Sequence, residues 1–296
     1  MTVIAAGIVV VANQSNSSAA GSAGGAPTGA ATSSPSSPAS AAASSHAPTA
    51  APTTSPALTP AAFTSAVQAV VTPAPGHGAV AVTDLTTGAQ ASFSDDDHLF
   101  DTGSIVKLDI LATLLYQHQQ AGTTMTSAEE SYATTMIENS NNDSANSLFF
   151  DEGGVAALTA ANKVFGLTDT TIEYHWGTTT TDPTDQMKLL KQVFTSDSVL
   201  TATDRDYIQG LMSKVESDQQ WGVSAAASPG TSFMLKNGWL PDSAGLWYIN
   251  SVGEVTYEGH VLLIAVQTDD NSTMDTGVDF AQQIAAAAAK SLVAAE

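Results

Sequence analysis

The chain is predicted to fold as α+β, with an antiparallel sheet flanked by helices. Strand-like runs stand early, at 78–85 and 89–93, and return late, at 232–236, 246–252 and 260–268. Only helical patterns lie between the two groups. Strands from both ends must therefore meet in one sheet, with the first and last side by side.

The elements follow in order. Residues 2–12 are an apolar run, too short to cross a bilayer, which takes about 20 residues. The run matches the apolar core of a secretory signal ending in Val10-Val11-Ala12, although no basic residue precedes it. It is expected to serve as a signal or an anchor on a secreted or extracytoplasmic protein. Membrane or wall tethering through this end stays open. Residues 13–60 are almost entirely Ala, Ser, Thr, Pro and Gly, with no acid, Lys or Arg. Such a stretch cannot bury enough apolar surface to offset its ordering entropy, so a disordered linker is expected. Residues 61–296 then suffice for one enzyme-sized domain, expected to be a monomer.

Within that domain, residues 61–71 have helical spacing and stop before Pro73 and Pro75. The turn Thr86-Thr87-Gly88 joins the first two strands into a hairpin. A central helix from Ser104 to about His118 carries Ile105, Leu108, Ile110, Leu111, Leu114 and Leu115. Further helices are predicted over 127–138, 143–150, 154–164, 184–194 and 203–214, and an Ala-rich one from about Thr276.

Charge and composition narrow the function. The net charge is −21, from 29 acids against 8 bases. That field repels phosphate backbones and excludes nucleic acid as a partner. Asp95-Asp96-Asp97 reads as a solvated turn rather than a calcium loop. Without cysteine there is no disulfide and no thiol chemistry. The six histidines (His46, His77, His98, His118, His175, His260) are scattered with no i,i+4 pair, so neither metal nor cofactor is expected.

One pair of residues points to chemistry. A serine hydroxyl needs a base to become a nucleophile. In Ser104-Ile105-Val106-Lys107 the lysine lies one helical turn on, along the same face. Asp101-Thr102-Gly103 reads as a helix start, which would put free backbone N–H groups around Ser104. Ser-x-x-Lys occurs once among seven lysines, inside an apolar helix where a lysine is desolvated or paired. Desolvation lowers its pKa toward that of a useful base. The alternative is an exposed serine and a surface lysine. Two other clusters follow: the polar knot from Met136 to Asn146, also explicable by Asx turns and capping, and Phe233-Met234-Leu235-Lys236-Asn237-Gly238-Trp239. In the second a strand runs into a lysine and a glycine, the glycine permitting close backbone approach to a ligand.

In this order the three elements resemble the class A β-lactamase and penicillin-binding-protein superfamily, whose signatures are Ser-x-x-Lys, Ser-Asp-Asn and Lys-Thr-Gly. The resemblance covers most of 61–296, with Ser140-Asn141-Asn142 as the second motif and Thr178–Pro183 similar to the segment after the omega loop. It implies an all-helical subdomain beside the sheet, and a serine hydrolase acting on a β-lactam or a cell-wall peptide. Ser104 would be acylated and Lys107 would take its proton. Ser140 would relay a proton to the leaving nitrogen. Asn142 would bind the substrate amide and Lys107. Lys236 would keep the potential positive and, with Asn237, receive the substrate carboxylate. Gly238 belongs to the same motif, and the N–H groups of Ser104 and Trp239 would form the oxyanion hole.

The chain departs from the pattern in places. Asn141 and Asn237 stand where the family has Asp and Thr, and the stretch from Lys107 to Ser140 is short. The omega loop reads as truncated, with no match to its deacylating glutamate; Glu173 and Glu138 are the fallback candidates, and Asp169 is the other acid of that segment. Arg205, the one arginine, reads as exposed, so no guanidinium assists the carboxylate. These departures imply slow deacylation. D-alanyl-D-alanine carboxypeptidase or esterase activity, and a non-catalytic wall-associated module, are the alternative readings.

Overall fold

A computed structural model describes residues 60–94 and 98–294. The apolar N-terminal run, the linker and the Asp95-Asp96-Asp97 turn lie outside the described residues. No helix among the described residues is long and apolar enough to cross a membrane.

Helix α1 (Pro60–Val71) leads into β1 (Gly78–Asp84), β2 (Gln90–Phe93) and the two-residue β3 (Phe100–Asp101). A single 3-10 turn, Gly103–Ile105, then opens directly into α2 (Val106–Ala121). Helices α3 (Ser127–Glu138), α4 (Asn142–Asp151) and α5 (Gly154–Phe165) follow, then β4 (Thr180–Thr181), α6 (Pro183–Phe194) and α7 (Ala202–Met212). Strands β5 (Phe233–Pro241), β6 (Trp247–Tyr257) and β7 (His260–Asn271) and helix α8 (Met274–Val293) complete the order.

The main sheet is antiparallel, ordered β2-β1-β7-β6-β5. As expected, the first strand pairs with the last, Val80 opposite Val266. Strand alternation divides the core in two. Leu262, Ile264 and Val266 of β7 pack with α1 and α8, through Phe63, Val67, Ile284 and Leu292. Leu263 and Ala265 face the other way, into the cluster built by α2 to α7. Both faces are covered, so β1 and β7 read as continuous apolar runs.

Helix α2 runs through the centre of the helical layer. Its first ten residues, Val106 to Leu115, are all buried, and they include Lys107 and Asp109. It ends on Gly122, whose φ of 64° suits glycine at the C-terminal cap. The short sheet formed by β3 and β4 lacked a sequence signal because each strand has only two residues. Strand β5 also runs further than predicted. Lys236 and Gly238 lie inside it, paired with Val252 and Asn250, rather than at its end.

Candidate active site

The site forms where the 3-10 turn, the α3–α4 junction, edge strand β5 and the 174–177 segment meet. A cleft of about 540 Å³ is lined by Gly103, Ser104, Asn142, Asn146, Trp176 and Trp239, with Phe150, Tyr174 and His175 among the rest.

Two glycines let the nucleophile turn touch the edge strand. A Cβ on Gly238 would stand 2.4 Å from Thr102 O and 2.7 Å from Ser104 N. A Cβ on Gly103, whose φ is +52°, would stand 2.8 Å from Trp239 N. Those contacts lie well inside van der Waals distance, so neither position accepts a side chain. The backbone of the Ser104 turn thus packs directly on that of Gly238 and Trp239. Gly238 permits a close approach as predicted, but the approaching group is this chain's own turn rather than a ligand. Asn250 of β6 fixes the turn from below, its Nδ2 donating to Asp101 O (2.8 Å) and Thr102 O (3.0 Å). Thr102 N donates to Thr179 O at 2.8 Å, so the residue just before β4 holds the other side.

Ser140 sits between α3 and α4 with φ of 53°, unusual for a residue other than glycine. Asn139 caps the C-terminus of α3, and Asn141 caps α4 by accepting from Ser144 N at 2.8 Å. Capping and the hydrogen bonds to Lys107 share this knot, and Asn serves as an N-cap about as well as aspartate. The strained turn points Ser140 inward.

Both predicted lysines are fully buried. Lys107 Nζ donates to Ser140 O (2.6 Å), Asn142 Oδ1 (2.7 Å) and Ser140 Oγ (3.3 Å), and lies 4.9 Å from the centre of the Trp176 ring. None of these bonds reaches Ser104. Ser104 lies in the 3-10 turn and Lys107 in the first turn of α2, while the oxygens of the α3–α4 junction take the amine. Lys236 Nζ donates to Ser140 Oγ and to Asn237 O, each at 3.0 Å. Burial lowers Lys107 to about 7. Burial, and then the charge of Lys107, hold Lys236 well below the ordinary lysine range. Two buried ammoniums around one hydroxyl disfavour each other, so the charge of Lys107 lowers the proton affinity of Lys236.

Asn237 corrects the sequence reading. Strand alternation turns it to the opposite face from Lys236, and its Nδ2 donates to Gln219 O (2.7 Å) and Trp221 O (3.1 Å). It secures the backbone segment that precedes β5 and is not in the cleft lining. Arg205 is half-buried rather than exposed, and it donates to Leu200 O at 2.7 Å.

The fallback acids are not in the cleft lining. Glu173 is exposed, and Glu138 faces Lys214 at 3.9 Å. Asp169 belongs to a cluster around Asp185, which accepts from the Asp169 N–H at 2.7 Å. No carboxylate lines the cleft among the described residues. Sequence reasoning missed its aromatic wall: Phe150 and Tyr174 are exposed with ring centres 5.4 Å apart, and Trp176 Nε1 donates to Asn146 Oδ1 at 2.8 Å. The run Tyr174-His175-Trp176 was the available signal.

The histidines are less scattered than the sequence suggests. His77 and His98 meet at Asp269, outside the cleft, as a group with metal-ligating chemistry.

The sequence profile of the beta-lactamase enzyme family matches residues 123–292, more than half of the chain. That span includes Ser140, Asn142 and Lys236 and begins after Ser104 and Lys107. No curated protein matches significantly. Among solved structures, the chain is similar to the TLA-1 extended-spectrum beta-lactamase (TM-score 0.70, 16% identity, 79% of this chain and 99% of that one). It is also similar to a class A beta-lactamase from Bacteroides cellulosilyticus (0.69, 14%, 80% and 99%). A mutant of PBP-A, solved as an acyl-enzyme complex with penicillin G, matches with a TM-score of 0.67 and 19% identity over 77% and 95%. At these identities the likeness is one of fold, and it agrees with the α+β reading.

Proposed function

The chain belongs to the beta-lactamase enzyme family, and on that premise we propose that it is a serine hydrolase acylated at Ser104 by β-lactams or related amides. One observation carries the reading: two buried lysines converge on Ser140, and Asn142, which accepts from Lys107, lines the same open cleft as Ser104.

A neutral Lys107 has two hydrogens to donate, and Ser140 O and Asn142 Oδ1 accept them without offering any in return. Its lone pair is then left for a hydroxyl proton. In the proposed step the Ser104 oxygen attacks the lactam carbonyl, and its proton passes to Lys107. The ring C–N bond breaks, and the nitrogen takes a proton through Ser140. The amides of Ser104 and Trp239 receive the developing oxyanion; losing one such donor typically costs about 10²–10³ in rate. Lys236 attracts the substrate carboxylate when its amine holds the proton of the pair. The exposed Phe150–Tyr174 wall suits an aromatic or apolar acyl side chain.

Release of the acyl group is proposed to be slow, because the cleft lining supplies no carboxylate to activate water. A general base typically contributes about 10²–10⁴-fold. A second reading, through the same acylated serine, is D-alanyl-D-alanine carboxypeptidase or esterase action on cell-wall peptides, for which release of D-alanine from a pentapeptide is the assay.

A chromogenic cephalosporin tests the first reading. The expected trace is a burst of ring opening equal to the enzyme concentration, followed by a slow steady rate, with both lost in Ser104→Ala. A fast steady rate without a burst would overturn slow deacylation. No reaction with any β-lactam would overturn the lactam reading itself.

A further inference from the structure

Three side chains from separate segments converge at the far end of β7. His77 precedes β1, His98 precedes β3, and Asp269 lies in β7 with a side chain only 4% exposed. Asp269 accepts from His77 Nδ1 at 2.9 Å and from His98 Nε2 at 2.5 Å. The two imidazoles stack with ring centres 4.1 Å apart and planes inclined by 25°. One ligating atom from each residue lies within 4.8 Å of the other two. Asp270 Oδ2 stands 3.7 Å from His77 Nδ1.

We propose that His77, His98 and Asp269 form a binding site for a divalent transition metal, with zinc the favoured ion. Two imidazoles and a carboxylate are a donor set for zinc and its neighbours, whereas magnesium and calcium prefer oxygen alone. Ligand atoms around tetrahedral zinc stand about 3.3 Å apart when bonds are about 2.0–2.2 Å. The present spacings reach that arrangement by small side-chain shifts. Asp270 or a water would complete the fourth position. Each imidazole must turn a lone pair where it now donates N–H, so its proton moves to the other ring nitrogen through solvent, to which both rings are partly open.

The surroundings favour a cation. Asp270 adds a second carboxylate beside His77, and no lysine or arginine faces Asp269 in an ion pair among the described residues. The proposed site runs against the sequence expectation of no metal. The inference is independent of the acylation reading, although the two touch in one place. His98 leads through β3 into the Ser104 turn, so an ion here would tie that approach to the sheet.

The test uses the full chain, stripped with a chelator and titrated with zinc. Calorimetry is expected to give one tight site, and the melting temperature is expected to rise with zinc and not with magnesium. Cobalt in place of zinc is expected to give the visible absorption of a tetrahedral site. His77→Gln and His98→Gln should each weaken zinc binding at least tenfold, and Asp269→Asn, which keeps the side-chain shape, should do the same. Absence of any zinc-dependent melting shift would overturn the proposal. So would unchanged zinc affinity in a folded His77→Gln/His98→Gln double variant, since the ion would then be bound elsewhere.

Discussion

Lys107 and Lys236 bring their amines to one hydroxyl: Ser140 Oγ lies 3.3 Å from the first and 3.0 Å from the second. The two amines come from a buried helix and an edge strand, and burial lowers the proton affinity of both. Burial lowers Lys107 to about 7, which makes its neutral amine available near physiological pH.

The acylation rate is therefore expected to depend on pH with a definite sign. Lys107 acts as a base only when deprotonated, and burial lowers it to about 7. The rate constant for adduct formation should climb about tenfold per pH unit below 7 and level off above it. Stopped-flow measurement from pH 5 to 9 checks this. A rate independent of pH across that range would remove Lys107 as the base.

A second buried group sets an opposite trend in stability. Asp109, fully buried on α2, is pushed up to about 7 by burial above all. Its folded pKa exceeds its unfolded value near 4, so its stabilising share is present below about 4 and lost as pH rises through 7. Asp109→Asn should raise the melting temperature at pH 8 more than at pH 5. Equal shifts at both values would show that Asp109 stays ionised in the folded protein.

Gly238→Ala probes the contact between strand and turn. The added methyl would lie 2.4 Å from Thr102 O and 2.7 Å from Ser104 N. Forced separation is expected to lower stability by about 1–3 kcal/mol and acylation by at least tenfold. Wild-type acylation in this variant would show that the two amides need not be held so closely.

Asn237→Ala distinguishes a positioning residue from a substrate ligand. Its amide satisfies the Gln219 and Trp221 carbonyls. Removing it should cost about 1–3 kcal/mol in denaturant unfolding, with the concentration dependence of acylation changed less than threefold. A large loss of apparent affinity with stability intact would restore the carboxylate-binding role expected from the sequence.

What was legible in the sequence was periodic or local. The apolar runs at 78–85 and 260–268 gave the paired central strands, and the Ile105–Leu115 stripe gave the buried helix. Ser140 and Lys236 were found by resemblance, because their meeting depends on a junction and a strand far apart in the chain. Face was the weak link. A strand alternates sides at every residue, so Lys236 entered the site while Asn237 next to it turned away. Long-range polar contacts left no pattern at all. Asn250 beneath the Ser104 turn and His77 beside His98 are single residues whose partners only the fold supplies.

The central claim is that Ser104 is acylated and released slowly, and intact-protein mass spectrometry after mixing with penicillin G tests it most directly. A one-to-one adduct of the full penicillin mass is expected, mapped to the Ser104 peptide, persisting after excess drug is removed and missing in Ser104→Ala. An unmodified wild-type chain, or an adduct that survives Ser104→Ala, would contradict it.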